Sequence, residues 1–305
     1  MYEYIIRRLV GTIFTLFGVS IIVFMLLHLT GDPVSLILPL EATQAEIDVV
    51  RKELGLDRPL LVQYFFFVAD ALRGDFGNSI RGGQPALDLV IARIPATLQL
   101  TFVAMFISLA ISIPLGIISA VRRNSWIDYF NRVFCVLGIG TPIYWSGMML
   151  ILLFAVILGW LPSSGTGTIW HLVLPATALG FEQVARTSRL MRSSMLEVLG
   201  EDYLRTARAK GLGESTVIYR HALKNAMIPV VTVTALQLGQ LLGGAVVTES
   251  IFAWPGLGRL VLQAVYARDY PVVQVATLVF AVTFSLINLF SDVLIAYINP
   301  KVRFD

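Results

Sequence analysis

Apolar residues in this chain do not alternate with polar ones; they come in long runs separated by short polar stretches. The first run, residues 9–29, follows Arg7 and Arg8 and has about the 20 residues that an α-helix needs to cross a hydrocarbon core. A cleaved signal is the competing reading, but the run exceeds the roughly 7–15 apolar residues of such a signal and no A-x-A site follows it. Further runs at 97–121, 133–158, 172–185, 227–248 and 272–298 bring the predicted membrane spans to six. The fourth is shorter than about 17 residues, so it is expected to run on as an amphipathic helix through Glu182, Arg186, Arg189 and Arg192.

Several spans carry residues that disturb a helix: Pro114 with Gly116, Gly138 and Gly140 with Pro142, and Pro175. In lipid these are tolerated where neighbouring helices or a water-filled path satisfy the freed backbone groups, so packing kinks and a pathway lining both remain open. Gly239 and Gly243, four residues apart in the fifth span, permit close approach of another helix.

The polar segment 31–95 predicts structure of its own. Its acids Asp32, Glu41, Glu46, Asp48, Glu53, Asp57, Asp70, Asp75 and Asp88 outnumber its bases. Thr43 and Glu46 have the spacing of a capping box, Ile47, Val50 and Leu54 form an apolar stripe, and Gly55 suits a C-terminal cap. A second amphipathic helix is expected after Pro59, carrying Leu61, Tyr64, Phe65, Val68 and Leu72 before the Gly74-Asp-Phe-Gly77 turn.

Composition narrows the class. With 56% hydrophobic and 14% charged residues, the chain falls far below the charged share of about a quarter usual in soluble domains. It reads as an all-α polytopic membrane protein whose partners include membrane lipid. A net charge of +3, with bases scattered among helix ends, gives no support to nucleic-acid binding. The lone Cys135 lies in an apolar run and reads as a small packing residue.

Lysine and arginine near the spans set the expected orientation. They concentrate before span one, between spans two and three, after span six at Lys301 and Arg303, and most of all between spans four and five. The connection 159–171 has none, and that between spans five and six has only Arg259 and Arg268. Both termini are therefore expected in the cytoplasm, with 31–95 outside.

The chain lacks an energy source for transport. No G-x-x-x-x-G-K-[ST] loop occurs. Ionisable residues at mid-membrane, expected of an ion-coupled carrier, reduce to Glu249 and Asp292, each near a span end and open to either a paired or a pathway role. His28 reads as interfacial, and His171 and His221 fall in separate loops without a Ser/His/Asp arrangement, so no catalysis is expected. A self-sufficient secondary carrier stands as the rival reading. A pathway without a motor calls for a cytoplasmic docking surface, and the charged, Ala-studded segment 200–230 suits one. Glu201, Tyr203, Leu204, Ala207, Arg208 and Gly211 can lie on a short helix ended by Gly211 and Gly213 with φ > 0. The small Ala207 and Ala209 would let a partner approach closely. A second helix, 216–225, capped by Ser215, would lead into span five with Pro229 at its entry. A solvated loop at the membrane surface is the alternative.

The wording of that segment goes further. E-D-Y-x-x-T-A-R-A-K-G-L followed by I-x-x-H-A-L-K-N-A-M-I-P-V-V resembles the EAA loop of ATP-binding-cassette importer permeases, in the form used by the dipeptide, oligopeptide, nickel and glutathione group. Tyr4-Ile-Ile-Arg-Arg-Leu9, Gly31-Asp-Pro33, Leu54-Gly-Leu-Asp57, the run 191–199, Phe252-Ala-Trp-Pro-Gly-Leu-Gly258, Arg268-Asp-Tyr-Pro271 and Asn299-Pro300 extend the resemblance over nearly the whole chain.

The resemblance implies a type I importer permease fold with six helices, residues 1–96 forming the first helix plus an extracytoplasmic segment and 97–305 a five-helix core. It also implies a bacterial inner-membrane location and import of short or glutathione-like peptides, with nickel or another small solute as alternative cargo. The implied partners are a second permease subunit, two cytoplasmic ATPases that bind ATP and Mg, and an extracytoplasmic solute-binding protein. A coupling helix at 201–212 would dock on an ATPase through Glu201, Asp202, Tyr203, Thr206, Ala207, Ala209, Gly211 and Leu212. Here the Glu-Ala-Ala triplet is Glu-Asp-Tyr, so the glutamate and glycine match the family pattern and the first alanines do not.

Overall fold

The computed structural model describes residues 2–29, 43–53 and 55–298, with side chains described for 10–25, 43–52 and 55–293. The expectations placed on Gly31-Asp-Pro33, Asp32, Glu41, Leu54, Asn299-Pro300, Lys301 and Arg303, and on the side chains of Arg7, Arg8, His28 and Glu53, lie outside those residues.

Helices account for the fold. In order they are α1 (Tyr2–Leu29), α2 (Gln44–Glu53), α3 (Leu60–Leu72), α4 (Ala86–Ile91), α5 (Ile94–Val121), α6 (Trp126–Gly140), α7 (Ile143–Ile157), α8 (Trp170–Leu199), α9 (Asp202–Ala209), α10 (Glu214–Ile251), α11 (Leu257–Tyr266) and α12 (Tyr270–Ile298). Among the described residues three helical stretches are long and apolar enough to cross a membrane, Ala86–Val121, Glu214–Ile251 and Tyr270–Val293, and the bent pair α6–α7 makes a fourth. The run 172–185 does continue as an amphipathic helix, α8, to Leu199.

The third run does not form one straight helix. α6 and α7 meet at 111°, because Pro142 offers no N–H and pushes Thr141 out of the helical region, to φ −88°, ψ 121°. By contrast Pro114, Pro175 and Pro229 sit inside continuous helices.

The chain divides into two compact units. One comprises Met1–Ala96 with Pro255–Leu286. In it the capping box forms as the spacing predicts: Thr43 N and Oγ1 donate to Glu46 Oε2 at 2.8 and 2.9 Å, and Glu46 N donates back to Thr43 Oγ1 at 3.4 Å. The Thr43 backbone N–H, then its hydroxyl, hold the Glu46 carboxyl below its usual range. Gly55, at φ 66°, caps the end of α2, with Gly55 N donating to Lys52 O at 3.1 Å and Leu56 N to Arg51 O at 2.9 Å. α3 rests on α1 through a Ser20 Oγ–Tyr64 Oη hydrogen bond of 2.8 Å and an edge-on Phe24–Tyr64 contact. A small core of Ala86, Val90, Leu257, Tyr270 and Val275 joins α4, α11 and the start of α12.

The other unit comprises Thr97–Trp254 with Ile287–Asp305. Its central element is α8, against which α5, α6, α7 and α10 pack. Small residues set the crossings. A Cβ on Gly180 would stand 2.8 Å from the Ala104 carbonyl oxygen, one on Gly116 2.6 Å from Met191 Cβ, and one on Gly138 2.7 Å from Ala185 Cβ. In α10 a Cβ on Gly244 would stand 3.1 Å from Leu179 Cδ1, whereas one on Gly243 would face open space. Gly239, the other glycine of the predicted pair, is buried.

Candidate coupling segment

α9 is short because its ends are defined by backbone chemistry. Glu201 occupies the N-cap position in extended conformation (φ −72°, ψ 144°), without a side-chain cap bond. At the other end Gly211 N donates to Arg208 O at 2.9 Å and Leu212 N to Ala207 O at 3.4 Å, the paired bonds of a Schellman turn. That turn needs a left-handed residue, supplied by Gly211 at φ 80°. Gly213, expected to share this role, has φ −63° and instead precedes α10 as its N-cap. The expected helix of 201–212 is therefore 202–209, flanked by its caps.

The following helix begins at Glu214 without a side-chain cap from Ser215. It runs through a π-helical turn, Val217–Ala222, directly into the long apolar helix, so α10 is one rod from the segment into the membrane. His221 lies in that π turn and not in a loop. Arg208 Nε and Nη2 donate to Glu214 Oε2 and Oε1 at 3.0 and 2.9 Å, a bidentate clasp across the turn. Asn225 Nδ2 donates to Tyr203 Oη at 2.8 Å.

One face of α9 is buried and the other is bare. Leu204 and Ala207, three residues apart and so on one face, enter a core with Met191 and Met195 of α8 and Val217 and Ala222 of α10. Leu204 is fully buried. Glu201, Asp202, Thr206, Ala209 and Gly211 are exposed, and Tyr203 and Leu212 are each 39% exposed. Ala207, expected on the docking face, is buried. Its methyl faces the chain's own core because the face opposite the solvent is the one that carries Leu204.

The sequence reading passed over a buried charge cluster in this unit. Asp128, with no exposed surface, accepts from Arg192 Nε at 2.5 Å and Nη2 at 2.9 Å, Arg132 Nη2 at 2.7 Å, Ser119 Oγ at 2.6 Å and Asn124 N at 3.0 Å. It ties α5, α6 and α8 together, and α8 leads towards α9. The available signal was Ser125 three residues before Asp128 with Arg132 four after it, a capped first turn with an ion pair. Glu249 is buried and accepts from Thr97 Oγ1 at 2.5 Å, linking α10 to α5; Asp292 is partly buried. His171 is engaged locally with Thr168, its Nδ1 2.8 Å from Oγ1.

Residues 112–304 match the family model described as binding-protein-dependent transport system inner membrane component, and residues 1–101 match the N-terminal model of the same system. The chain belongs to this family. As an inner membrane component of a binding-protein-dependent transport system, it is 47% identical over 305 residues, all of both chains, to the glutathione transport system permease protein GsiC of Escherichia coli strain K12. The identity and coverage are the same for the GsiC protein of Shigella dysenteriae serotype 1 strain Sd197. The fold resembles an inward-facing MetNI methionine ABC transporter chain, with a TM-score of 0.54 and 20% identity over 69% of this chain and 96% of that one. It also resembles an amino acid ABC transporter solved with histidines, with a TM-score of 0.50 and 17% identity over 70% and 94% of the two chains.

Proposed function

We propose that this membrane component is the first permease subunit of an ATP-driven importer of short or glutathione-like peptides, and that α9 is its coupling helix. The observation that carries the coupling role is the two-faced seating of α9. Leu204 and Ala207 fasten it to α8 and α10, while Glu201, Tyr203 and Leu212 face outward from a turn stiffened by Gly211 and the Arg208–Glu214 clasp. A force applied to the exposed face passes into two long helices without a flexible joint. The peptide class rests on the full-length relation to glutathione permeases.

In this reading the chain pairs with a second permease and receives solute from an extracytoplasmic binding protein. Two ATPases bind ATP and Mg on the cytoplasmic side, where both termini and the coupling segment lie, and residues 31–95 lie outside. Nucleotide binds the two states of the ATPase pair differently, and that difference biases the pathway between outward and inward access. Glu201 anchors the coupling helix, Tyr203 and Leu212 supply apolar contact, and Asp202, Thr206 and Ala209 complete the outward face.

Co-purification tests the assignment. Glu201→Lys and Gly211→Asp should each strip the ATPase subunits from the affinity-purified complex and abolish transport while the permease stays monodisperse. ATPase attachment and transport at wild-type levels in both variants would refute the docking role.

A further inference from the structure

The unit built from residues 1–96 and 255–286 holds a cavity of about 500 Å³, within the size range of small-ligand sites, roughly 300–1,000 Å³. Phe24 of α1 contributes to its lining, and the rest comes from the elements that follow. Lys52 comes from the last turn of α2 and Arg58 from the turn that follows. Gln63, Phe66, Phe67 and Asp70 recur at helical spacing, so one face of α3 forms a wall. Asp75 and Asn78 belong to the loop after α3, and Tyr270 and Gln274, one turn apart, to the start of α12.

The walls are pinned. Asp269 accepts from Ser79 Oγ at 2.5 Å and from Ile80 N at 3.1 Å, which fixes the loop against the start of α12. Gln63 Nε2 donates to the Leu56 and Arg58 carbonyls at 3.3 and 2.7 Å, holding the turn that carries Arg58. Asp75 Oδ1 accepts from Gly77 N at 3.0 Å.

The lining charges are sorted along α3. Both cations enter before its first residue, and both acids lie at or just beyond its last turn. The helix dipole has the same sense, positive at the start and negative at the end. The Arg58 guanidinium carbon stands 4.6 Å over the Phe66 ring centre, a stack that leaves its N–H edge for an acceptor. Neither Lys52 nor Arg58 forms an ion pair among the described residues, and Asp70 has only a 3.8 Å approach from the exposed Arg73. The rise from Gln63 to Asp70 is about 10 Å, roughly the length of an extended tripeptide.

We propose that this cavity binds a short zwitterionic peptide by its two ends. The carboxylate meets Lys52 and Arg58, the ammonium meets Asp70 and Asp75, and side chains lie against Phe67 and Tyr270. The choice of a peptide rests on the importer reading, whereas the sorted charges do not.

Isothermal titration of the complete importer in nanodiscs, without binding protein, tests this with Ala-Phe-Ala and with its N-acetylated and C-amidated forms. Wild type should bind Ala-Phe-Ala and should bind each blocked form about ten- to a hundredfold more weakly. Arg58→Gln should weaken discrimination against the amide alone, and Asp70→Asn discrimination against the acetyl form alone, since Lys52 and Asp75 remain. Both side chains lie outside the buried core, and monodispersity of each variant checks its fold. Absence of Ala-Phe-Ala binding in wild type, or discrimination unchanged in both variants, overturns the proposal. ATP-driven uptake of the same peptide separates the two readings: uptake with unaltered discrimination removes the cavity site alone, whereas loss of uptake strikes the peptide-importer reading.

Discussion

Leu204 carries most of the seating of α9, and Leu204→Ala is the perturbation that reports on it. Of the eight residues of α9 only Leu204 and Ala207 are buried, and Ala207 has one methyl to contribute. The other ties to the body are the Asn225–Tyr203 hydrogen bond, about 1 kcal/mol, and the exposed Arg208–Glu214 clasp, which salt screens. Truncating a fully buried leucine costs about 2–5 kcal/mol, and here that loss falls on one short helix. The equilibrium between seated and unseated α9 should shift by roughly thirtyfold to several thousandfold. Hydrogen exchange of the amides of 202–209 in the assembled importer reads that shift directly, and uptake per ATP hydrolysed reads its consequence. Exchange should accelerate in 202–209 far more than in α10, and uptake should fall while ATP hydrolysis continues. Unchanged exchange together with wild-type uptake in a folded variant would refute the seating.

Three further outcomes follow from the packing. Asp128→Asn leaves Arg192 facing a neutral group in a nearly closed site, which should cost about 3 kcal/mol, the low end for a broken buried pair because Arg192 keeps 18% exposure; thermal unfolding monitored by size-exclusion chromatography should show a clear drop. Gly180→Val should collapse the yield of monodisperse protein, since a Cβ there meets the Ala104 carbonyl, whereas Gly140→Ala, with open space at its Cβ, should leave it unchanged; equal yields would contradict the crossing geometry. The depressed Glu46 carboxyl stabilises α2 above its ordinary value of 4.5, and that contribution disappears as pH falls through the lowered value. Exchange in 44–53, corrected for intrinsic rates, should therefore be slow at pH 7 and faster at pH 3.

What the sequence made legible is what depends on neighbours along the chain. The Thr43–Glu46 box and the left-handed Gly211 are set within a few residues, and each appears where the spacing puts it; of the six predicted membrane runs, four give a helix or a bent pair long and apolar enough to span among the described residues. The bend at Thr141–Pro142 was readable as a disturbance, but whether a proline kinks, breaks or is absorbed depends on packing, since Pro114, Pro175 and Pro229 remain in continuous helices. Contacts between distant residues were not legible. Asp128 finds Arg192 across 64 positions of chain, so in the sequence Arg192 is only one more charge on the amphipathic stretch after the fourth run. Which face of α9 turns inward depends on Met191 and Val217 being beneath it, and that settles the place of Ala207. The crossings at Gly116, Gly138 and Gly180 likewise depend on which residue of α5, α6 or α8 lies opposite.

We propose that this permease moves solute only when another protein's ATP cycle acts on it. The measurement that tests it most directly is tripeptide accumulation in proteoliposomes, with this chain alone under a proton gradient and with the full importer, binding protein and ATP. Accumulation should occur only in the second case and should stop when ATP is withdrawn. Accumulation by the chain alone under the proton gradient would contradict the claim and make it a self-sufficient carrier.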